Sequence, residues 1–147
     1  MRRLILTVAS VLLALGPMRV SAQQAPPPAI VTQGLDLLRT SGTSAALDAW
    51  LKGWSDESAV AAKSQLLPVL DEIQRVAGTV SGSDFLGSAD WGPHTRRLYF
   101  TVLAKNQPFY CRFDVYLAGG EWRVVNVTLH TNPAEVFPPG LLMPGGS

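Results

Sequence analysis

The fold is decided by the stretch from Arg96 to His130, which reads RRLYFTVLAKNQPFYCRFDVYLAGGEWRVVNVTLH. Apolar and polar residues alternate along three segments of this stretch, which is the period of a β-strand with one buried face. The segments are separated by KNQP and by AGGE, and short turns of this composition join antiparallel neighbours. The stretch therefore predicts three consecutive strands of an antiparallel meander.

The first turn of the meander sets which residues face each other. A two-residue turn at Asn106-Gln107 would place Tyr99 opposite Asp114 on one face of the sheet. On the other face it would place Phe100 opposite Phe113. Polar and apolar side chains are then cleanly separated, which is typical of a sheet with one face on the core.

The second turn allows two registers. A two-residue turn at Gly119-Gly120 would mix polar and apolar side chains on both faces of the sheet. A three-residue loop, from Gly119 to Glu121, would instead turn Val125, Val127 and Leu129 towards the core. Burial stabilises by about 1.5–3 kcal/mol for each large apolar side chain, which outweighs a difference between turn types. We therefore predict the three-residue loop.

These registers divide the predicted sheet into an apolar face and a polar face. The apolar face carries Leu98, Phe100, Val102, Phe109, Cys111, Phe113, Val115, Leu117, Val125, Val127 and Leu129. The polar face carries Tyr99, Thr101, Tyr110, Arg112, Asp114, Tyr116, Asn126, Thr128 and His130. We expect the apolar face to receive whatever packs on the sheet.

Upstream of residue 79 the apolar period changes from 2 to that of a helix. The pattern predicts a short first helix and a second one, capped by Thr43 or Ser44, that stacks two tryptophans on one face. A third helix should begin after Ser55, end at Gly78 and kink or restart at Pro68. The segment TVSGSDFLGSADWG adds a weak first strand. The prediction is an α+β domain, with three N-terminal helices packed on one face of a four-stranded antiparallel meander sheet.

The two ends of the chain differ from this domain in composition. Residues 1–22 combine a basic start, an apolar run and small residues before Gln23, which predicts a secretory signal peptide cleaved after Ala22. We expect a periplasmic or secreted protein with no membrane insertion after cleavage. Residues 23–28 read as a Pro-rich linker, 29–137 as a single domain and 138–147 as a flexible tail.

Charge and metal-ligating residues exclude several classes of function. After cleavage nine basic and eleven acidic residues remain, a formal charge of −2 without any basic run, so no nucleic-acid partner is expected. Two His and one Cys, scattered along the chain, predict neither a metal site nor a disulfide framework. No cofactor motif is present in the sequence.

The C-terminal stretch GPHTRRLYFTVLAKNQPFYCRFDVYLAGGEWRVVNVTLHTNP resembles the last strands of small exported bacterial proteins of unassigned function. The shared pattern is an aromatic-rich strand followed by G-x-W-x-(apolar)-x-N/D-(apolar). More broadly, the layout resembles the NTF2-like/cystatin-like α+β superfamily. That resemblance implies helices packed into a curved antiparallel sheet. It also implies either isomerase or dehydratase activity or a non-catalytic binding role.

The polar face gathers the side chains best suited to bind a ligand. Arg112 and Asp114 lie two residues apart on one strand and therefore share a face. With tyrosines and a histidine nearby they could hold a small anion or transfer a proton. The candidate binding residues are Tyr99, Tyr110, Arg112, Asp114, Asn126 and His130. In an enzyme, Asp114 or His130 would serve as the base.

Two other interpretations of the polar face stay open. It can be a solvated sheet face held by cross-strand pairs. Tyrosine and arginine also suit a homodimer packed sheet to sheet, which Tyr110→Glu would disrupt.

The sequence thus favours an exported soluble binding or scaffolding protein without catalytic activity. Its partner would be a small molecule or a protein, bound between helices and sheet or on the polar face. The alternatives are an NTF2-like isomerase or dehydratase acting on a small molecule and a homodimeric structural module.

Overall fold

The computed structural model describes residues 24–142. Three helices come first, with the bounds Ala29–Thr40 (α1), Thr43–Trp50 (α2) and Asp56–Ala77 (α3). Four strands follow, at Val80–Asp90 (β1), Thr95–Ala104 (β2), Phe109–Ala118 (β3) and Glu121–His130 (β4). A 3-10 turn at Pro133–Glu135 precedes a last short helix, Pro139–Leu142 (α4). The predicted signal peptide lies outside the described residues.

The sheet is an antiparallel meander in the order β1-β2-β3-β4. Buried side chains from α1, α2 and α3 form one cluster with those of a single sheet face. At its centre the Trp50 ring meets the Phe113 ring edge-on, with 5.0 Å between centroids, and Cys111 is fully buried beside them. The predicted class, three N-terminal helices on a four-stranded antiparallel sheet, is confirmed.

The third helix begins and ends where the sequence predicts. The Ser55 hydroxyl accepts a hydrogen bond from the Ser58 amide at 3.3 Å, and Gly78 ends the helix with φ 87°. The helix assignment runs unbroken through Pro68, so the expected restart is wrong. Pro68 is exposed, and water can reach the carbonyl that lacks its usual amide partner.

The predicted pair of stacked tryptophans is split by the end of α2. Trp50 is the last residue of that helix and is fully buried. Its indole rests on Gly34 of α1 so closely that a Cβ at position 34 would overlap it. Trp54 lies beyond the helix, where its indole nitrogen donates a hydrogen bond to the Val124 carbonyl at 2.6 Å. The two rings therefore hold different parts of the structure, one the helix pair and the other β4.

The β2–β3 register differs from the prediction by two residues. Tyr99 pairs with Arg112, and Arg97, not Tyr99, pairs with Asp114. The faces are nevertheless as predicted, since a shift of two keeps every side chain on its own side. The cause lies at the turn. The Lys105 and Asn106 amides donate to the Thr79 and Ala77 carbonyls at 3.0 and 2.8 Å, which makes the loop wider than a two-residue turn.

The β3–β4 hairpin combines both of the registers considered. Gly119 and Gly120 form the two-residue turn, both with positive φ, and Ala118 pairs with Glu121. The pairing then shifts at Asp114/Val115, so that Val115 faces Val124 and Asp114 faces Asn126. The predicted three-residue loop is therefore wrong.

This β-bulge leaves Val125 as the extra residue of β4. Val124 is fully buried, whereas Val125 is 47% exposed, so the predicted place of Val125 in the core is wrong. Val127 and Leu129 pack with the core as predicted. The two-glycine turn sets one register at the start of β4, and burial of Val127 and Leu129 requires the other. The bulge allows both registers in one strand.

The chain that precedes α1 is tied to the sheet by Arg96, which is only 7% exposed. Its guanidinium donates to the Ala25 and Pro26 carbonyls at 2.8 and 2.9 Å and to an Asp90 carboxylate oxygen at 3.1 Å. The Trp122 ring lies 6.0 Å from the guanidinium carbon. We call Gln24–Pro26 with Arg96 the N-terminal latch.

Candidate functional site

The structure brings two of the other predicted site residues, Arg112 and Asn126, close to Asp114. Arg97 donates two hydrogen bonds to the two Asp114 carboxylate oxygens, at 2.6 and 3.0 Å. The Asn126 amide donates to one of the same oxygens at 3.3 Å. Arg97 was not among the predicted site residues, because the predicted register placed it elsewhere. The guanidinium carbon of Arg97 lies 4.8 Å from the centroid of the Trp91 ring.

These partners determine the acidity of Asp114. Burial alone would raise the pKa of this carboxyl group. Hydrogen bonds from Arg97 and Asn126, with the charges of Arg97 and Arg112, outweigh burial and hold the pKa below its ordinary value. A carboxylate of this kind is a weak proton acceptor near neutral pH.

Arg112 differs from the other arginines of residues 24–142 in its hydrogen-bond partners. Its Nη2 donates to the Thr128 hydroxyl at 3.1 Å. Its Nε is buried and has no hydrogen-bond partner within residues 24–142. Every other arginine in that range donates to a carboxylate or to a main-chain carbonyl. A buried donor without an acceptor costs about 1–3 kcal/mol.

The two predicted tyrosines are covered by the chain itself. After the 3-10 turn the chain crosses the polar face, and Phe137 packs edge-on against Tyr99 and Tyr110 with centroids 5.9 and 5.1 Å apart. Tyr99, Val136 and Phe137 form a second buried cluster. We call residues 132–137 the C-terminal strap. The one signal for it in the sequence is the apolar pair Val136-Phe137, which follows the Asn132 cap after three residues.

His130 lies apart from Asp114. It pairs with Tyr110 at the far end of β4, four strand positions from the Asn126 that pairs with Asp114. At about 3.3 Å per residue this separates the two by roughly 13 Å, too far for a shared proton. The His130 Nδ1 accepts a hydrogen bond from the Asn132 amide at 2.9 Å. The predicted face therefore does not combine its two candidate bases.

Three open clefts follow one another along the seam between α3 and β4. Their volumes are about 360, 500 and 410 Å³. Along α3 and its cap the three clefts are lined in turn by residues between 55 and 58, between 58 and 66 and between 68 and 73, and along β4 and Thr131 by residues 123–125, 126–127 and 129–131. Together we call these clefts the α3–β4 groove. His130 lines its far end.

The groove borders a sheet edge, because β4 has β3 as its single neighbour in the described sheet. Its walls are largely apolar, and Val69 and Val125 both line it while remaining 46% and 47% exposed. Small residues, Ser58, Ala61 and Ala62, line the helix side of the middle cleft together with larger ones. The groove is therefore a long, open trough and not an enclosed cavity.

Other chemistry is sparse in the part of the chain that the structure describes. Residues 24–142 contain no group of three or more His, Cys, Asp or Glu side chains placed to hold a metal ion. Within the same residues no helix is both long and apolar enough to cross a membrane. Burial raises the pKa of the Cys111 thiol far above its ordinary value, so this side chain is not a nucleophile in the folded protein.

Comparison with known proteins adds no relative. No protein-family model matches the chain, and neither the curated proteins nor the solved structures contain a match.

Proposed function

We propose that this chain is an exported, non-catalytic binding protein that holds an extended segment of a partner polypeptide in the α3–β4 groove. The observation that carries the proposal is the position of this apolar trough beside an edge strand. Export rests on the predicted signal peptide at residues 1–22.

The chemistry of an edge strand fits an extended ligand. Alternate residues of an edge strand direct their N–H and C=O groups away from the sheet, where a further strand can pair with them. A segment added to β4 would gain main-chain hydrogen bonds, and every second side chain would enter the trough. The register of β4 is regular from Asn126 to His130, so that part of the edge can accept a strand.

The opposite edge of the sheet is less suited to this role. Strand β1 is interrupted by two register shifts, near Val80/Gly82 and Phe85/Gly87. The Gln24 side chain lies across it and donates a hydrogen bond to the Ser88 carbonyl at 3.3 Å. Bulges and a covering segment are devices by which proteins block edge pairing. The contrast favours β4 as the binding edge.

The arrangement around Asp114 favours binding over catalysis. Its carboxylate is occupied by Arg97 and Asn126, and His130 lies too far away to act with it. An isomerase or dehydratase would need a base with a free oxygen or nitrogen inside an enclosed pocket. The binding role therefore requires fewer changes to the described geometry.

The test is a selection of random displayed peptides on the mature protein, followed by calorimetry with the enriched peptide. We expect binding that Val125→Lys and Ser58→Trp each weaken at least roughly tenfold, because one adds a charge to the trough and the other fills it. Bound peptide should also slow amide exchange from Asn126 to His130.

The matched control is Val60→Lys, on the same helix. Val60 is 69% exposed and lies outside the groove, so this variant should bind like the wild type. Peptides that bind all four proteins equally, or a selection that enriches none, would contradict the proposal. If the protein is a dimer and Val125→Lys dissociates it, the groove binds a second copy of this chain and not a segment of another polypeptide.

A further inference from the structure

Arg112, whose buried Nε has no acceptor within residues 24–142, lies outside the α3–β4 groove, and the proposed role of the groove does not use it. Its position on β3 puts it between Tyr110 and Asp114 on the same face. Across the strands it faces Tyr99 on one side and Thr128 on the other. These neighbours supply hydroxyl groups and aromatic rings.

Arg112 has no ion-pair partner among the described residues. The charges of Arg97 and Arg112 both lower the pKa of Asp114, but Arg97 donates a hydrogen bond to each of its two carboxylate oxygens. No carboxylate within residues 24–142 lies at ion-pair distance from Arg112. The charge of Arg112 is thus not paired with a carboxylate, and its buried Nε still needs an acceptor.

We infer that Arg112 anchors a binding site for a small organic acid, and that the C-terminal strap closes over this site. A carboxylate accepts two parallel hydrogen bonds from one guanidinium, which would satisfy Nε and neutralise the charge together. The rings of Tyr99 and Tyr110 offer an apolar surface for the body of the acid.

The strap explains how such a site could be closed without a ligand. Phe137 lies against both tyrosines, and its ring occupies the surface that an aromatic acid would use. The strap is held by a short set of contacts, chiefly Val136 and Phe137 and the Asn132 cap at 3.1 Å from the Ala134 amide. Such a segment can open while the meander beneath it stays folded.

The experiment uses the mature protein and follows the Arg112 Nε–H resonance by nitrogen-15 NMR while benzoate is added. Acetate and benzyl alcohol are the comparison probes, since each carries one half of the benzoate chemistry. We expect benzoate to shift the resonance in a saturable way, acetate to do so more weakly and benzyl alcohol not to shift it. Phe137→Ala should tighten benzoate binding roughly tenfold, because the closed strap no longer competes.

Two variants test the role of the guanidinium. Arg112→Lys keeps the charge but removes the paired N–H donors of the guanidinium. We expect it to weaken benzoate binding at least roughly tenfold. Arg123→Lys is the matched control, because that arginine is exposed and donates to the Gly53 carbonyl. It should bind benzoate as the wild type does.

The inference is wrong if the Arg112 resonance stays fixed in both the wild type and Phe137→Ala. It is also wrong if Arg112→Lys binds benzoate as tightly as Arg123→Lys. Val125→Lys should leave benzoate binding unchanged, so failure of the peptide-binding role and failure of this site are distinguishable.

Discussion

At the scale of single residues, the outer face of the sheet is organised by Asp114. Its side chain is 13% exposed and that of its partner Arg97 is 27% exposed, so the pair is shielded from water and salt more than an ordinary surface pair. Since the pKa of Asp114 is lower in the folded than in the unfolded protein, its ionisation stabilises the fold.

The first prediction concerns acid stability. Asp114 stabilises the fold above its unfolded pKa of about 3.9, and this contribution disappears as pH falls through the lower folded pKa. Asp114→Asn should therefore reduce the free energy of unfolding by about 1–3 kcal/mol at pH 7. The difference from the wild type should shrink below about pH 4. Urea unfolding across this range measures both effects.

The control for this prediction is Asp36→Asn. Asp36 also pairs with an arginine, Arg39, but the two side chains are 64% and 45% exposed. We expect its removal to change the free energy of unfolding by less than about 0.5 kcal/mol at any pH. Parallel pH curves for Asp114→Asn and the wild type would show that the ion pair does not stabilise the fold.

Sequence reasoning placed Asp114, Arg112 and Asn126 on one face but did not find the Arg97 partner. Strand period alone assigns a residue to a face, and that assignment survives a register shift of two. The opposite residue depends on the loop, and here the Lys105 and Asn106 amides bond to residues before β1. Such a contact between distant parts of the chain has no local sequence signal.

At the scale of elements, β4 carries the most information. It closes the sheet, lines the α3–β4 groove and contains the bulge that divides Val124 from Val125. Two adjacent valines of identical chemistry therefore occupy opposite environments. The alternation of apolar residues does not show which of the two valines is buried, because β4 has one register at its start and another at its end.

The second prediction follows from this division. Val124→Ala should lower the free energy of unfolding by roughly 1.5–3 kcal/mol, because it removes two buried carbon groups and leaves a cavity. Val125→Ala should change it by less than about 0.5 kcal/mol, because this side chain is half exposed. Equal losses for the two variants would contradict the observed bulge, and a larger loss for Val125→Ala would restore the three-residue loop.

At the scale of the whole molecule, the chain covers one face of the sheet with helices and the other only in part. The helices cover one face, and the C-terminal strap covers part of the other. The class was predictable because the apolar period changes from helix to strand near residue 79. The strap was not, because the apolar pair Val136-Phe137 is too short to show a period that would assign it to a face of the sheet.

The third prediction concerns the N-terminal latch, which joins the start of the described chain to the sheet. Arg96→Lys should lower the free energy of unfolding by about 2–3 kcal/mol, because a lysine cannot reproduce the fork that holds two carbonyls and a carboxylate. The Gln24 and Ala25 amides should become mobile on the nanosecond scale in NMR relaxation. Arg39→Lys, at an exposed pair, is the control. Unchanged relaxation in Arg96→Lys would show that the latch is held by other contacts.

The buried thiol of Cys111 can report how often the core of the protein opens. In the folded state no reagent reaches it, so a cysteine introduced on the surface can be labelled with a dye while Cys111 stays silent. When the reagent does reach Cys111, the sheet must have separated from its helices. In the wild type, the rate at which Cys111 reacts with a thiol reagent therefore measures how frequently the core opens.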